Sequence, residues 1–429
     1  MHFQVALPVI TYICSILSEH RTLLHSYLFR IFEVLKIADP MRLFLSVMLQ
    51  QIIGIGYQKH YQELYPEIKA YFTDIKLYGT NTIMEYIGRI TNSMAAWKLI
   101  IFQSYLLRNH CPALAESPGG KTGEGKTADF DVTTIQSSSS RKEGAEIGFN
   151  KKCKGKPCFQ LSATFIGRVF TDGKLFPGHC NPKDFFQKAV KRANSLGFNI
   201  KNVRADSAYL SLENLLLLSE LSLGYAIGAP ATFSIVKKGR ERFKKLARKK
   251  SSAIISVAKG VSVYDFGQVL LSGKVETRLL IVRRINRKKN RKTGKWKIRT
   301  YYYAIASNLS LSPRKLYEFY HKRQCIEAGF RELKQHYHLE RLPFKSLKAN
   351  EFWIICKIVA MTLFKIFQVE TLPKALRTLL RKTFLRNVLQ KGLKIDNAGK
   401  VEVVPKARNT WLLRRLVCKT ERIKLVFNT

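Results

Sequence analysis

Residues 127–136 read TADFDVTTIQ, and at this stretch the hydrophobic pattern of the chain changes. From residue 127 onward, short runs that alternate apolar and polar residues are typical of strands. Before it, apolar residues recur at helical spacing. The helices predicted from this spacing cover 3–17, 26–37, 41–54, 80–90 and 94–108. The sequence therefore predicts a helical N-terminal region followed by a domain built around a β-sheet.

The order of the strand-like runs predicts the type of sheet. The strands predicted after TADFDVTTIQ are 158–167, 168–176, 199–207 and 225–230. Two predicted helices, 181–197 and 212–222, separate the last three of these strands. Three antiparallel strands followed by alternating helix and strand is the order of an RNase H-like mixed sheet. The predicted fold class is α/β: such a sheet with helices, interrupted by a β-rich insertion and preceded by a helical region.

Changes in composition divide the chain into six segments. They are a helical region that either binds DNA or caps the core (1–111), a Pro/Gly/Lys linker (112–126), the first part of the core sheet (127–230), a basic β-rich insertion (231–311), the C-terminal helices of the core (312–370) and a basic region suited to dimer or DNA contacts (371–429). Within the last segment, a helix is predicted over 372–391 and a short hairpin over 393–404.

The composition indicates a polyanionic partner. The chain has 74 Lys+Arg against 30 Asp+Glu, a net charge of +44, yet 46% of its residues are hydrophobic, as in a folded protein. So large a charge destabilises a compact state unless a polyanion neutralises it. An anionic membrane is the competing partner, but the cations are spread along the whole chain rather than gathered beside one apolar helix. Nucleic acid is therefore the favoured partner, and salt should weaken its binding.

The cysteines and the apolar runs bear on the compartment. The 8 cysteines include no CxxC pair, as expected in a reducing cytoplasm. The apolar N-terminus lacks a signal-peptide pattern, and the run at 352–367 is short and contains two lysines. Both runs are interpreted as buried helices, so the sequence predicts a soluble cytoplasmic protein without a membrane partner.

A stripe of polar residues occurs in YHKRQCIEAGFRELK (320–334), on a long helix that Ser312 and Pro313 are predicted to open. Four polar side chains fall within an arc of about 60° on this helix: Tyr320, Arg323, Glu327 and Lys334. The neighbouring apolar stripe should face the core: Phe319, Ile326, Phe330 and Leu333. The polar stripe suits a metal-dependent phosphate site, although a solvated charge ladder is the alternative.

Three carboxylates are candidates for a single site. In the predicted topology the strand that contains Asp131 lies beside the strand that ends at Asp206, and Glu327 comes from a helix packed on the same sheet. Oxygen donors without a His/Cys set are what Mg²⁺ or Mn²⁺ prefers, and two such ions can drive an in-line phosphoryl displacement. Asp129 is the alternative to Asp131, and each Asp alone could be an exposed strand residue or a turn cap.

The insertion contains two strongly basic runs, 237–250 and 283–299. The second is predicted to form a hairpin, with strands near 276–285 and 295–306 and a loop over 286–294. Five cations near its tip are candidate DNA contacts: Arg287, Lys288, Lys289, Arg291 and Lys292.

The motifs FDVTT and RADSAY and the Tyr-x2-Arg-x3-Glu-x6-Lys spacing resemble the DDE transposases of the insertion-sequence-4-like superfamily. The resemblance extends to GFNKKCKGKPCFQLSATFIG, RLPFKSLKANEFW and TLPKALRTLLRKTF. It implies a bacterial, nucleoid-associated enzyme with two Mg²⁺ (or Mn²⁺) ions. Such an enzyme acts as a homodimer that cuts DNA at terminal inverted repeats and joins it to target DNA by cut and paste.

The resemblance also implies a role for each motif residue. The metal-binding catalytic carboxylates would be Asp131, Asp206 and Glu327. The side chains that hold phosphates near the cleaved strand end would be Tyr320, Arg323 and Lys334. Trp296 is the candidate for stacking on a flipped base, and packing in the core or on the exposed hairpin is the alternative. Two other readings stay open: an inactive nucleic-acid-binding relative, and a nuclease of the same fold that does not transpose.

Overall fold

The computed structural model describes residues 6–20, 22–24, 26, 39–54, 58–71, 77–115, 126–150, 153–181, 185–271, 273–289, 294, 296–390, 393–395, 401–403, 411–414 and 416. The helix predicted over 26–37 lies, beyond its first residue, outside these ranges. The hairpin cations Arg291 and Lys292 also lie outside them.

A ten-stranded mixed sheet forms the centre of the fold. Its strands are β1 (Lys126–Gln136), β2 (Glu146–Ile147), β3 (Pro157–Ile166), β4 (Val169–Pro177), β5 (Ile200–Ala205), β6 (Gly224–Ala229), β7 (Ile254–Ala258), β8 (Val261–Leu271), β9 (Val275–Lys289) and β10 (Trp296–Ser307). The strand order is β2-β3-β1-β5-β6-β10-β9-β8-β7, with β4 paired to β3. The pairs β1–β5 and β5–β6 are parallel and the others are antiparallel. The predicted α/β class is confirmed, as is the adjacency of the strands that lead to Asp131 and Asp206.

The strands of the predicted insertion continue this sheet, because β10 pairs antiparallel with β6. The hairpin is longer than predicted. β9 runs to Lys289 and β10 starts at Trp296, so residues 286–289 belong to a strand rather than to the loop. β-branched and aromatic residues of β10, such as Ile298 and Tyr302, favour pairing all along this ribbon.

In the described part of the chain, helices precede the sheet, connect some of its strands and follow its last strand. They are α1 (Leu7–Glu19), α2 (Pro40–Ile53), α3 (Gln58–Tyr71), α4 (Thr80–Gly88), α5 (Met94–His110), α6 (Phe186–Ser195), α7 (Leu212–Glu220), α8 (Ser234–Arg248), α9 (Pro313–His321), α10 (Gln324–His336), α11 (Leu347–Thr371) and α12 (Arg381–Phe384). The helix predicted over 372–391 is replaced by a 3₁₀ turn at Lys374–Leu376, α12 and a π-helical turn at Leu385–Leu389. The C-terminal hairpin is confirmed as β11 (Leu393–Ile395) and β12 (Val401–Val403).

α11 is the central core helix. By length and composition it could cross a membrane, but 89% of its most apolar 18-residue stretch is buried inside the protein. The helix packs against α1, α2, α5 and β4. The buried Lys357 is accommodated because its Nζ donates to the carbonyls of His338 at 2.7 Å and Arg341 at 2.8 Å. Burial nevertheless lowers the pKa of Lys357 to about 7.

The described N-terminal helices share one hydrophobic core with the sheet domain. The start of the predicted linker is also folded: Pro112–Ala115 form a 3₁₀ turn, and the Leu114 carbonyl accepts from the Arg168 amide at 2.9 Å. This packing favours the cap interpretation of residues 1–111, and DNA binding by their outer surface stays a prediction.

Candidate active site

Two parallel strands place two carboxylates side by side. Phe130 of β1 is opposite Ala205 of β5, so the next residues, Asp131 and Asp206, follow at the same level of the sheet. Asp131 accepts from the Val132 amide at 2.9 Å. Asp206 directly follows β5 and caps a 3₁₀ turn, where its carboxylate accepts from the Ala208 amide at 2.7 Å.

The helix predicted from Ser312 is wrong in one respect, because it is two helices. Ser312 caps α9 as expected, accepting from the Lys315 amide, but α9 ends at His321 and α10 begins at Gln324. At the break the Arg323 amide donates to the Tyr320 carbonyl at 3.0 Å. In a continuous helix it would donate to the Phe319 carbonyl.

At the break, Arg204 of β5 contacts the helix. Its Nη1 donates to the Phe319 carbonyl at 2.9 Å, the acceptor that the Arg323 amide would use in a continuous helix. Arg204 lies 115 residues away in sequence, so no local pattern indicates this contact. Both residues at the break, Lys322 and Arg323, keep right-handed helical dihedrals. The apolar stripe is buried as predicted: Phe319, Ile326, Phe330 and Leu333.

Arg323 joins two of the three carboxylates. Its Nη1 lies 3.2 Å from Asp131 Oδ2 and its Nη2 lies 2.9 Å from Glu327 Oε1. Burial alone would lower the pKa of Arg323, but Asp131, Tyr320, Glu327 and Asp206 together raise it. The guanidinium therefore stays charged and partly neutralises the acidic cluster.

The electrostatics of Asp131 connect all three acids. Burial is the largest cause that raises the pKa of Asp131, to about 6; the negative charges of Asp206 and Glu327 act in the same direction, and Arg323 and the Val132 amide act against it. Asp206 and Glu327 are thus near enough for their charges to act on Asp131. A buried carboxylate with acidic neighbours is costly to ionise unless more positive charge is bound.

The donor chemistry of the cluster fits a divalent cation. Three carboxylates supply only hard oxygen ligands, which suit Mg²⁺ or Mn²⁺. Their spacing is wider than a closed site. Among the described residues, the group of three whose ligand atoms all lie within 4.8 Å of one another is Glu19, His20 and His110. The Glu327 side chain is 49% exposed, and its Oε1 contacts Arg323 Nη2.

Two tyrosines border the acids. The Tyr320 hydroxyl lies against Gly228 of β6, where an added Cβ would be 2.9 Å from its oxygen. Burial raises the pKa of Tyr320, and both Asp206 and Asp131 act in the same direction. Tyr209, which the sequence analysis did not single out although it ends the RADSAY motif, is buried; burial and the same two acids raise its pKa.

Lys334 and Asp129 have other partners. Lys334 Nζ donates to the Thr134 carbonyl at 3.0 Å, three residues beyond Asp131 on β1. Asp129 is 1% exposed and accepts from Arg204 at 2.6 and 2.8 Å and from the Cys325 thiol at 3.0 Å. This pair ties β1 and β5 to the end of α9, so Asp129 holds the fold around the site while Asp131 faces the other acids.

Basic and aromatic side chains line surfaces away from the acids. Trp296 is 65% exposed, so it is not a core residue, and Arg287 on the facing strand is exposed too. Lys288 and Lys289 lie on β9, with their side chains outside the described part. Trp296 is nine residues along β10 from Ile305, the partner of Gly228, or about 30 Å. The structure therefore brings the acids together with Tyr320 and Arg323, and leaves the hairpin tip far from them.

The first basic run of the insertion is helix α8, in a segment that was predicted to be β-rich. Val236, Gly239 and Phe243 bury one side of this helix. Five cations are exposed on its other sides: Lys237, Lys238, Arg242, Lys245 and Arg248. Helix α8 thus presents a positively charged surface where the sequence predicted β structure.

An RNase H-like sheet whose central parallel strands each lead to an acid, with a third acid on a following helix, is suited to metal-assisted phosphoryl transfer. The family model of the transposase DDE domain matches residues 122–363, more than half of the chain. The chain therefore belongs to the DDE transposase family, whose members are DNA-acting nuclease and strand-transfer enzymes that generally depend on divalent metals. No curated protein matches the chain.

Proposed function

We propose that this protein is the transposase of a bacterial insertion sequence of the insertion-sequence-4-like superfamily. As a homodimer in the cytoplasm, it would cut DNA at terminal inverted repeats and join the ends to a target by cut and paste. One observation carries the proposal: Asp131, Asp206 and Glu327, from three separate elements, form a cluster in which the charges of two acids act on the third.

In this proposal Asp131, Asp206 and Glu327 hold the Mg²⁺ (or Mn²⁺) ions, two in number. When bound, the metal supplies activation of the attacking water or 3′-hydroxyl and stabilisation of the leaving oxygen. Tyr320, Arg323 and Lys334 hold phosphates of the strand end. The buried bidentate contact of Asp129 with Arg204 supports Asp131 as the first carboxylate, because both Asp129 oxygens are already engaged by that guanidinium.

We expect the purified protein to cleave duplex DNA that carries the inverted repeats flanking its own gene, in the presence of Mg²⁺, and to join the 3′ ends to a plasmid. Sequencing gels and a joining assay measure the two steps. A duplex with scrambled repeats, and the same reaction with EDTA, are the controls. DNA binding without any cleavage would contradict the proposal and show an inactive nucleic-acid-binding relative. Cleavage without joined product would show a nuclease of the same fold that does not transpose.

The hairpin cations are expected to contribute nonspecific DNA affinity. Changing Arg287, Lys288, Lys289, Arg291 and Lys292 to Gln should weaken binding to any duplex, because each cation lost from a phosphate leaves a counterion unreleased. The slope of log affinity against log salt should fall by about 0.9 per lost contact, measured by fluorescence anisotropy.

The matched comparison is a variant with five α8 cations changed to Gln: Lys237, Lys238, Arg242, Lys245 and Arg248. An unchanged slope in the hairpin variant, with a reduced slope in the α8 variant, would place the phosphate contacts on the helix and contradict the prediction for the hairpin.

A further inference from the structure

A second cluster of metal-binding side chains lies where α1, α5 and α11 meet. Glu19 is the last residue of α1, His20 caps that helix, and His110 is the last residue of α5. Their ligand atoms all lie within 4.8 Å of one another, which holds for no other group of three such side chains in the described part of the chain. All three residues lie outside the segment matched by the transposase DDE domain, 122–363.

The two imidazoles converge through the same ring atom. His20 Nε2 and His110 Nε2 are 2.8 Å apart, and the ring planes cross at 83°. Only one proton fits between two nitrogens at this distance, so at most one of the rings can be a donor there. The arrangement suits either one hydrogen bond between the rings or a cation that both nitrogens ligate.

A second layer of contacts prepares His110 Nε2 to act as an acceptor or as a metal ligand. Glu370 of α11 lies 3.2 Å from His110 Nδ1, and its other oxygen accepts from the Tyr12 hydroxyl. A carboxylate on Nδ1 fixes the tautomer that leaves the Nε2 lone pair available, which is the usual support for a metal-binding histidine.

We propose that Glu19, His20 and His110 bind a zinc ion that ties α1 to α5 and, through Glu370, to α11. Two imidazoles and a carboxylate are a typical zinc donor set, and the exposed Glu19 leaves the remaining position to solvent. Cys111 is not in this group, and its thiol donates to Glu370 at 3.8 Å. The ion would fasten the N-terminal helices to the central core helix.

The test counts zinc in the full chain, with Asp206→Asn and Glu327→Gln introduced so that the acidic cluster does not contribute. After incubation with Zn²⁺ and gel filtration, elemental mass spectrometry is expected to find about one zinc per chain. His20→Ala and His110→Ala should reduce it to background, while His60→Ala, an exposed histidine of α3, should not. Glu370→Gln should weaken zinc affinity about 10- to 100-fold.

The Asp206→Asn/Glu327→Gln protein with its histidines unchanged is the parent, and a measurement on it alone guards against histidine variants that fail to fold. One equivalent of Co²⁺ should produce the visible absorption band of a four-coordinate site, and Zn²⁺ should remove the band and raise Tm by a few degrees, whereas Mg²⁺ should do neither. A folded parent without stoichiometric zinc or without the cobalt band, or zinc retained in both histidine variants, would show that the histidines form only a hydrogen bond.

Discussion

Asp206→Asn and Glu327→Gln are each expected to abolish cleavage of inverted-repeat DNA while leaving DNA binding intact. Each change removes one negative oxygen donor and keeps the size of the side chain. The Asn amide oxygen can still accept from the Ala208 amide, so the turn after β5 should persist. A metal contributes several kcal/mol to phosphoryl transfer, and about 1.4 kcal/mol corresponds to a factor of ten. Single-turnover cleavage with Mg²⁺ should therefore fall at least about 10³-fold.

Glu318→Gln is the matched control. Glu318 is an exposed carboxylate of α9, on the helix that precedes the break, and its loss changes the net charge by the same amount. We expect this variant to cleave at the rate of the unchanged protein. If the Asp206→Asn or Glu327→Gln variant still cut inverted-repeat DNA at that rate, the substituted carboxylate would have no part in the reaction.

The carboxylate pair on the sheet could be predicted from the sequence because its signals are local. The alternation in β1, and an Asp at the end of β5, required only the order of strands to bring Asp131 beside Asp206. The break between α9 and α10 could not be predicted, since the contact made there, between Arg204 and the Phe319 carbonyl, joins residues that are remote in sequence. The local spacing from Tyr320 to Lys334 fits an unbroken helix equally well.

Helix α8 was not predicted from the sequence for a different reason. Its apolar positions, Val236 and Phe243, have helical spacing, but the density of cations around them obscured the pattern. The histidine cluster could not be found at all from spacing, because His20 and His110 are 90 residues apart and meet only through the packing of α1 and α5. Contacts of this kind depend on tertiary structure, which a single sequence does not encode in any short motif.

Stability measurements should distinguish the roles of Asp129 and Asp131 on β1. Substitution of Asp129 is expected to cause the larger change in the free energy of unfolding. Asp129→Asn leaves Arg204, of which 5% of the side chain is exposed, without its ionic partner. Removing one member of a buried pair typically costs about 3–5 kcal/mol, because the other charge stays buried. The free energy of unfolding, measured by urea titration at pH 7 without divalent metal, should fall by about that amount. Positioning of α9 should suffer with it, since Arg204 also holds the Phe319 carbonyl.

Asp131→Asn is expected to increase the free energy of unfolding rather than decrease it. The folded protein raises the pKa of Asp131 from 3.8 to about 6, so ionised Asp131 opposes folding above pH 6, and this cost disappears below about pH 4, where both states are protonated. Replacing it by Asn removes the cost and should stabilise the protein at pH 7 by about 1–3 kcal/mol, at about 1.4 kcal/mol per pKa unit. Equal destabilisation by both changes would mean that Asp131 is as structural as Asp129. A loss of stability from Asp131→Asn together with none from Asp129→Asn would exchange their assignments.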